Sequence, residues 1–306
     1  MNITTIALFC LLISSPLTAQ EPHVASGKIK RFAQFPSAYI EPRNVDVWLP
    51  EGYSDTIKYS VLYMHDGQML FDSAATWNKQ EWGVDETLGR LMAEGKIKNC
   101  IVVGVWNTNT RHSDYFPQKP FESLKPAEQD TVMKGRRPNN QVLFSRPIQS
   151  DAYLKFLVTE LKPFIDSTFS TLPDRQNTFI AGSSMGGLIS MYALCEYPSV
   201  FGGAACLSTH WLGVFMSKGN PVPAAFMRYL RVHLPSPKNH LLYFDYGTKT
   251  LDSLYKPFQK QADAIMGAKG YTARHWKTKE FAHEDHSERA WRKRLDVPML
   301  FLLRKN

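Results

Sequence analysis

Asn177-Thr-Phe-Ile-Ala-Gly-Ser-Ser-Met-Gly-Gly187, continuing into Leu188-Ile-Ser-Met-Tyr-Ala-Leu-Cys195, runs from a short apolar strand signal, through a serine bracketed by glycines, into a helical repeat. Apolar side chains at Leu188, Met191, Tyr192 and Cys195 fall on the i, i+3, i+4, i+7 pattern of one helix face. Between strand and helix stands Gly182-Ser183-Ser184-Met185-Gly186, which matches G-x-S-x-G. Such a turn needs small residues two positions before and two after the serine, where side chains would collide. It lifts the hydroxyl clear of the sheet and sets the N-terminus of a helix, with its free N–H groups, beneath it. Ser184 is therefore the expected nucleophile, and the N–H of Met185 the expected first donor to an oxyanion.

Further strand signals lie on both sides: Asn44–Leu49, Tyr59–Met64, Cys100–Trp106, Ala204–Leu207 and Leu241–Tyr246. Most are nearly continuous in apolar residues, which suits strands covered on both faces. Helix-like segments separate them; Tyr153, Leu154, Leu157, Leu161 and Ile165 keep helical spacing just ahead of the nucleophile strand. Alternating strands and helices predict an α/β architecture with a mostly parallel central sheet and helices on both faces. Asn107–Gln149 is polar, rich in proline and weakly periodic. It reads as a loop insertion beside the active site.

A serine hydroxyl needs a base, and the base an acid. Phe281-Ala-His-Glu-Asp-His-Ser-Glu288 follows the strand-like stretch Thr272–Phe281 and offers two imidazoles, of which His286 is preferred to His283. The turn after Leu241–Tyr246 supplies Asp252 as the acid, with Asp245 as runner-up. The acid holds the imidazole tautomer and stabilises the imidazolium. A second oxyanion donor is expected from the turn Met64-His-Asp-Gly-Gln68, at the N–H of Gln68 or Gly67. His65 and Asp66 in that turn read as hydrogen-bonded supports. Ser208-Thr-His-Trp211 follows a central strand, so His210 and Trp211 are expected to face substrate, together with Arg111 and Tyr115 from the insertion.

With these residues in place, the chain resembles the putative esterase (esterase D) family of the α/β-hydrolase fold. The resemblance rests on Val45-Asp-Val-Trp-Leu-Pro50, Met64-His-Asp-Gly-Gln68, Trp82-Gly-Val-Asp85, Ala181-Gly-Ser-Ser-Met-Gly-Gly187, Tyr246-Gly-Thr248, and His286-Ser-Glu288 with Trp291. It implies Ser184 as nucleophile and His286 as base. Relatives often carry the acid three positions after the glycine matching Gly247, where this chain has Thr250, so Asp252 stands two residues displaced from the family pattern. The resemblance also implies a serine carboxylic-ester hydrolase working through an acyl-enzyme, on acyl, feruloyl or acetyl esters of carbohydrate. Alternatives are a catecholate siderophore-ester hydrolase, an acyltransferase, and a non-catalytic binding module.

The remaining features bound these readings. The chain has 306 residues, long enough for one large core, and a net charge of +8. The charge lies in small scattered clusters, Lys28–Arg31, Lys134–Arg137 and Arg289–Arg294, read as solvated faces rather than a nucleic-acid stripe. Met1–Gln20 carries no charged side chain and contains the apolar run Ile6–Ile13, the pattern of an export signal cleaved near Ala19 or Gln20. The expected organisation is a signal peptide at 1–20 and one catalytic domain at 21–306, periplasmic or secreted, with no stable membrane insertion after cleavage. Cys100, Cys195 and Cys206 lie in apolar runs and read as core residues rather than a disulfide framework. No cofactor or metal is expected, the partner is a small-molecule or carbohydrate-linked ester, and the oligomeric state is left open.

Overall fold

Eight strands form one sheet: β1 (Lys28–Phe35), β2 (Arg43–Leu49), β3 (Ser60–His65), β4 (Cys100–Val105), β5 (Thr178–Ser183), β6 (Gly203–Leu207), β7 (Leu241–Gly247) and β8 (Trp276–Phe281). The structure is a computed structural model that describes residues 22–305 apart from Ser217; the expected signal segment lies outside the described residues. The spatial order is β1-β2-β4-β3-β5-β6-β7-β8. Strands β1 and β2 run antiparallel, and β3 through β8 are mutually parallel with β4. This is the α/β-hydrolase arrangement, a mostly parallel sheet with helices on both faces.

The continuous apolar runs are explained by two cores. Along β3, Val61 and Tyr63 enter one core cluster while Leu62 and Met64 enter the other. Successive side chains in a strand point to opposite faces, so a strand covered on both sides must be apolar at every position. Cys100, Cys195 and Cys206 are buried and unpaired, as expected.

All seven expected strands occur, six with ends shifted by up to two residues and the seventh, expected at Thr272–Phe281, beginning at Trp276. The first strand, β1, was not expected. It is an edge strand with alternating exposure, and its lysines and arginine resemble a charge cluster in sequence. Charged side chains are a common device on sheet edges, because they discourage pairing with another chain. The helix expected around Tyr153–Ile165 is interrupted: Ser150–Phe156 and Lys162–Thr168 flank a π-helical turn at Leu157–Leu161.

The 107–149 segment is more ordered than a loop. It contains three short helices, Arg111–Tyr115, Gln118–Glu122 and Pro126–Met133. Tyr115, Phe116, Leu124, Val132, Leu143 and Phe144 reach the core from short helices and turns, so no apolar period marks the segment, and a buried polar anchor ties it down as well. Asp114, fully buried, accepts hydrogen bonds from both terminal nitrogens of Arg43, from the Thr110 hydroxyl at 2.8 Å and from the Gln149 amide at 2.6 Å.

Candidate active site

Ser184 is the single residue between β5 and the buried helix Met185–Glu196. Its backbone sits at φ 57° and ψ −120°, outside the regions L-residues favour. Three hydrogen bonds hold it there: its N–H donates to the Leu207 carbonyl at 2.9 Å, and its carbonyl accepts from the N–H groups of Leu188 at 3.1 Å and His210 at 3.2 Å. Strain of this kind costs about 1–3 kcal/mol and persists only where the surroundings over-determine the conformation. A Cβ added at Gly182 would fall 2.7 Å from the Gly186 backbone, so the close approach of strand and helix excludes larger residues.

The loop after β8 lies beside this elbow. Nδ1 of His286 stands 2.5 Å from Oδ1 of Asp252, and Ser184 and His286 line the same cavity of about 810 Å³. Asp252 is fully buried, and its second oxygen accepts from the Ser208 hydroxyl and the Gly247 N–H, both at 2.6 Å. Burial pushes the Asp252 carboxyl up, but the hydrogen bond and charge of His286, with Ser208 and Gly247, outweigh it and hold the group below its ordinary value. Thr250, which occupies the position where relatives carry their acid, accepts the His286 N–H through its hydroxyl at 2.9 Å. His283 is exposed, and its N–H donates to Thr248.

Asp245, the runner-up acid, is committed elsewhere. It pairs with the buried Arg294 at 2.9 Å and accepts from Tyr243 and the Ser208 N–H. Ser208 joins the two carboxylates into one network: its oxygen donates to Asp252 and accepts from Trp291 Nε1 at 2.9 Å and Arg294 Nη2 at 3.0 Å. Sequence reasoning missed this network. Arg294 had been grouped with a solvated cluster; Arg289, Arg292 and Lys293 of that group are substantially exposed, but Arg294 is 2% exposed. The available signal was Ser208 itself, a small polar residue closing an apolar strand.

Across the elbow, the turn after β3 packs against the start of the helix: a Cβ on Gly186 would meet the His65 side chain at 3.3 Å. Gln68 follows in this turn and shares the cavity with Ser184. His65 and Asp66 are supports, as expected. His65 Nδ1 meets the Tyr153 hydroxyl at 2.8 Å, and burial lowers its pKa to about 3. Asp66 is held by both nitrogens of the Arg111 fork at 2.7 Å and by the Asn107 amide at 2.6 Å; burial raises its carboxyl, and Arg111 more than offsets this.

The expected substrate contacts fare unevenly. Arg111 lines the cavity, although its fork is occupied by Asp66. Trp211 does not: it is fully buried, donates to Gln259 at 3.0 Å and packs on Phe244. Tyr115 is also fully buried, under Arg111, with its hydroxyl accepting the Asp66 N–H. His210 is 1% exposed, with its ring behind Phe215, which reaches the cavity instead. The correction is the same in each case. These aromatic residues flank site loops, but their rings turn into the core, where an apolar body gains most from leaving water. The rim is formed by residues that sequence reasoning did not single out: Trp77, 84% exposed, Val142, 55%, Phe215, 40%, and Arg137.

The family model described as "Putative esterase" matches residues 37–302. The chain belongs to this family. Among curated proteins, the chain is 26% identical over 171 residues to the uncharacterized protein YbbA of Bacillus subtilis, covering 55% of this chain and 58% of that protein. It is 26% identical over 232 residues to an endo-1,4-beta-xylanase/feruloyl esterase of Xylanibacter ruminicola, covering 72% of this chain and 26% of that longer protein. The matches thus span under two thirds of these relatives' length. Among solved structures, the CE1 ferulic acid esterase of Anaeromyces mucronatus superposes with TM-score 0.61 at 19% identity, covering 93% of this chain and 94% of that one. The enterobactin esterase of Shigella flexneri superposes with TM-score 0.63 at 15% identity, covering 92% and 60%. At these identities the likeness shows the fold.

No helix among the described residues is long and apolar enough to cross a membrane.

Proposed function

We propose that the protein is a serine carboxylic-ester hydrolase with Ser184 as nucleophile, His286 as base and Asp252 as the orienting acid. The observation that carries this is the Asp252–His286 pair, opening onto the cavity that also holds the elbow serine. Because Nδ1 of His286 is engaged by Asp252, its Nε2 is the nitrogen left for the Ser184 proton. Neutral His286 takes that proton as the serine oxygen bonds to the ester carbonyl carbon. The carbonyl oxygen gains the negative charge, and the N–H groups of Met185 and Gln68 are assigned to receive it. Collapse expels the alcohol, which takes the proton from His286. Water then repeats the sequence on the acyl-enzyme, releasing the acid and restoring Ser184.

The substrate we favour is an acyl ester of carbohydrate with an aromatic acid such as a feruloyl group. Trp77 and Phe215 give the cavity mouth two accessible aromatic faces, suited to a phenyl or sugar ring. The Anaeromyces and Xylanibacter proteins, named for feruloyl esterase activity, support this choice. A catecholate siderophore ester is the second reading, favoured by Arg137, which lines the cavity with no side-chain partner among the described residues and suits an anionic group. Feruloyl, acetyl and p-nitrophenyl esters, with a catecholate trilactone as the competing substrate, separate the readings. Turnover of none of them above a Ser184→Ala control, together with no fluorophosphonate labelling of Ser184, would refute the proposal. We further infer export through the 1–20 segment; N-terminal sequencing of protein recovered outside the cytoplasm should begin near residue 20 or 21.

A further inference from the structure

Ser208 holds an unfavourable backbone around one hydroxyl. It follows β6, is fully buried and stands at φ 43°, which L side chains rarely adopt. The helix Glu288–Arg294 brings Trp291 and Arg294, three residues apart on one face, against the Ser208 oxygen. Arg294 is itself incompletely satisfied: Nη2 serves Asp245 and Ser208, while Nη1 is buried with no partner among the described residues. A strained backbone and an orphaned buried donor each cost free energy, and such costs collect where function needs the geometry.

Counting hydrogens fixes the direction of each bond in this cluster. An indole N–H and a guanidinium N–H can only donate, so Trp291 Nε1 at 2.9 Å and Arg294 Nη2 at 3.0 Å take both lone pairs of the Ser208 oxygen. Its one hydrogen is left for Asp252 Oδ2, 2.6 Å away. The other neighbour of Oδ2 is the Gly247 N–H, also a donor. Oδ2 therefore faces two hydrogens and has no acceptor beside it to take a proton of its own. With Asp252 held charged, the hydrogen between Oδ1 and His286 belongs to Nδ1, and Nε2 keeps the lone pair. The charged and titratable groups facing this pair are Arg294, 3.9 Å from Oδ2, Asp245 bound to Arg294, the Tyr255 phenol, whose ring meets His286 edge-on at 5.9 Å, and His210, which burial keeps neutral.

We propose that Ser208 is a positioning residue for the triad: loaded by Trp291 and Arg294, its hydroxyl locks Asp252 as a charged acceptor and so fixes the tautomer of His286. No proton is transferred through Ser208. Its two donors polarise the hydroxyl and strengthen its bond to the carboxylate. The proposal rests on Ser184, His286 and Asp252 being the reacting set.

The test is the pH dependence of kcat/KM on a p-nitrophenyl ester, with kcat and KM read separately and folding checked by circular dichroism. Ser208→Ala removes one donor from a carboxylate and should lower kcat about tenfold, with KM changed far less. Donors stabilise the carboxylate and weaken its pull on the imidazolium, so losing one should move the acid limb of the profile to higher pH, by about half a unit. A merely structural role would slow the enzyme without moving that limb. Ser208→Gly, which suits φ 43° without strain and also lacks the hydroxyl, should behave as Ser208→Ala does. Trp291→Phe, which keeps an aromatic ring against His286, should move the limb the same way by less. Because Trp291 acts through Ser208, adding Trp291→Phe to Ser208→Ala should move the limb no further. An unmoved limb in either Ser208 variant, or shifts that add in the double variant, overturns the proposal. If neither Ser208 variant folds, an unmoved limb in Trp291→Phe overturns it. Failure of the ester-hydrolase reading is distinguishable, since the wild-type protein would then show neither turnover nor fluorophosphonate labelling of Ser184.

Discussion

Asp252 and Arg137 serve the same cavity from opposite conditions. The carboxylate is fully buried and takes hydrogen bonds from His286, Ser208 and Gly247. The guanidinium is half-buried at the rim and has no side-chain hydrogen bond or ion pair among the described residues. Around Asp252, nearly every polar atom is spent on another protein group; around Arg137, charge and aromatic surface are left open to whatever enters. A charge without a partner keeps its hydration and its freedom to bind, while a saturated one is fixed in place. The chemistry is thus assigned to the closed region and substrate choice to the open one.

The sharpest way to break that division is at the reacting atoms. Ser184→Ala or His286→Ala should lower kcat by about 10⁶-fold with the protein still folded, as loss of a nucleophile or base does in other serine enzymes. Circular dichroism and a p-nitrophenyl ester assay check this. Asp252→Asn keeps the shape but replaces a charge that stabilises the imidazolium, so a loss of roughly 10⁴-fold or less is expected. If Asp245→Asn cost more in kcat at equal stability, the acid would have been misplaced.

A closed region should also be vulnerable to acid. In the unfolded chain His65 and His112 bind protons below about 6.5, but in the fold burial keeps both neutral down to about 3. The unfolded state therefore holds more protons throughout that window, and stability falls as pH is lowered through it, by about 1.4 kcal/mol per pH unit for each histidine. Urea unfolding at pH 7 and pH 5 should show the drop, and His65→Gln should reduce its slope. A flat profile would show that these imidazoles are already charged in the fold.

The open region should answer with smaller, substrate-dependent changes. Arg137→Ala should raise KM about tenfold for an ester bearing an anionic group, as expected for a charge-assisted hydrogen bond, and leave neutral acetyl esters alone. Trp77→Ala should weaken aromatic or sugar-bearing esters by a few-fold, the scale of one partly exposed ring contact. If either changed kcat on the smallest ester, the rim would be part of the chemistry.

The two regions were not equally legible in the sequence. The elbow announces itself because sterics demand glycine at 182 and 186 around Ser184, and the doubly covered strands announce themselves by being apolar at every position. His286 and Asp252 could be placed by chain order and by the turns that follow strands. What could not be read was the direction of side chains. Nothing in Ser208-Thr-His-Trp211 says that Trp211 turns inward to Gln259 while the serine binds Asp252. Nor does the basic run ending at Arg294 reveal that its last member pairs, buried, with Asp245. The insertion was illegible because its core residues are scattered over short helices and turns and Asp114 ties it down through Arg43 and Gln149, so no period runs along it. Likewise, Lys28–Phe35 alternates too weakly to separate an edge strand from a charged linker.

The donors that steady Asp252 through Ser208 come from Trp291 and Arg294, both of which follow β8 in the chain. Synthesis proceeds from the N-terminus, so on a ribosome-bound chain the serine elbow and strands β1–β7 emerge before these two side chains do. Until they do, Asp245 lacks its Arg294 partner and Ser208, which donates to Asp252, lacks both of its own donors. Activity should therefore not appear before residue 294 has emerged, and a chain cut short ahead of Trp291 should be inert even where much of its fold has formed.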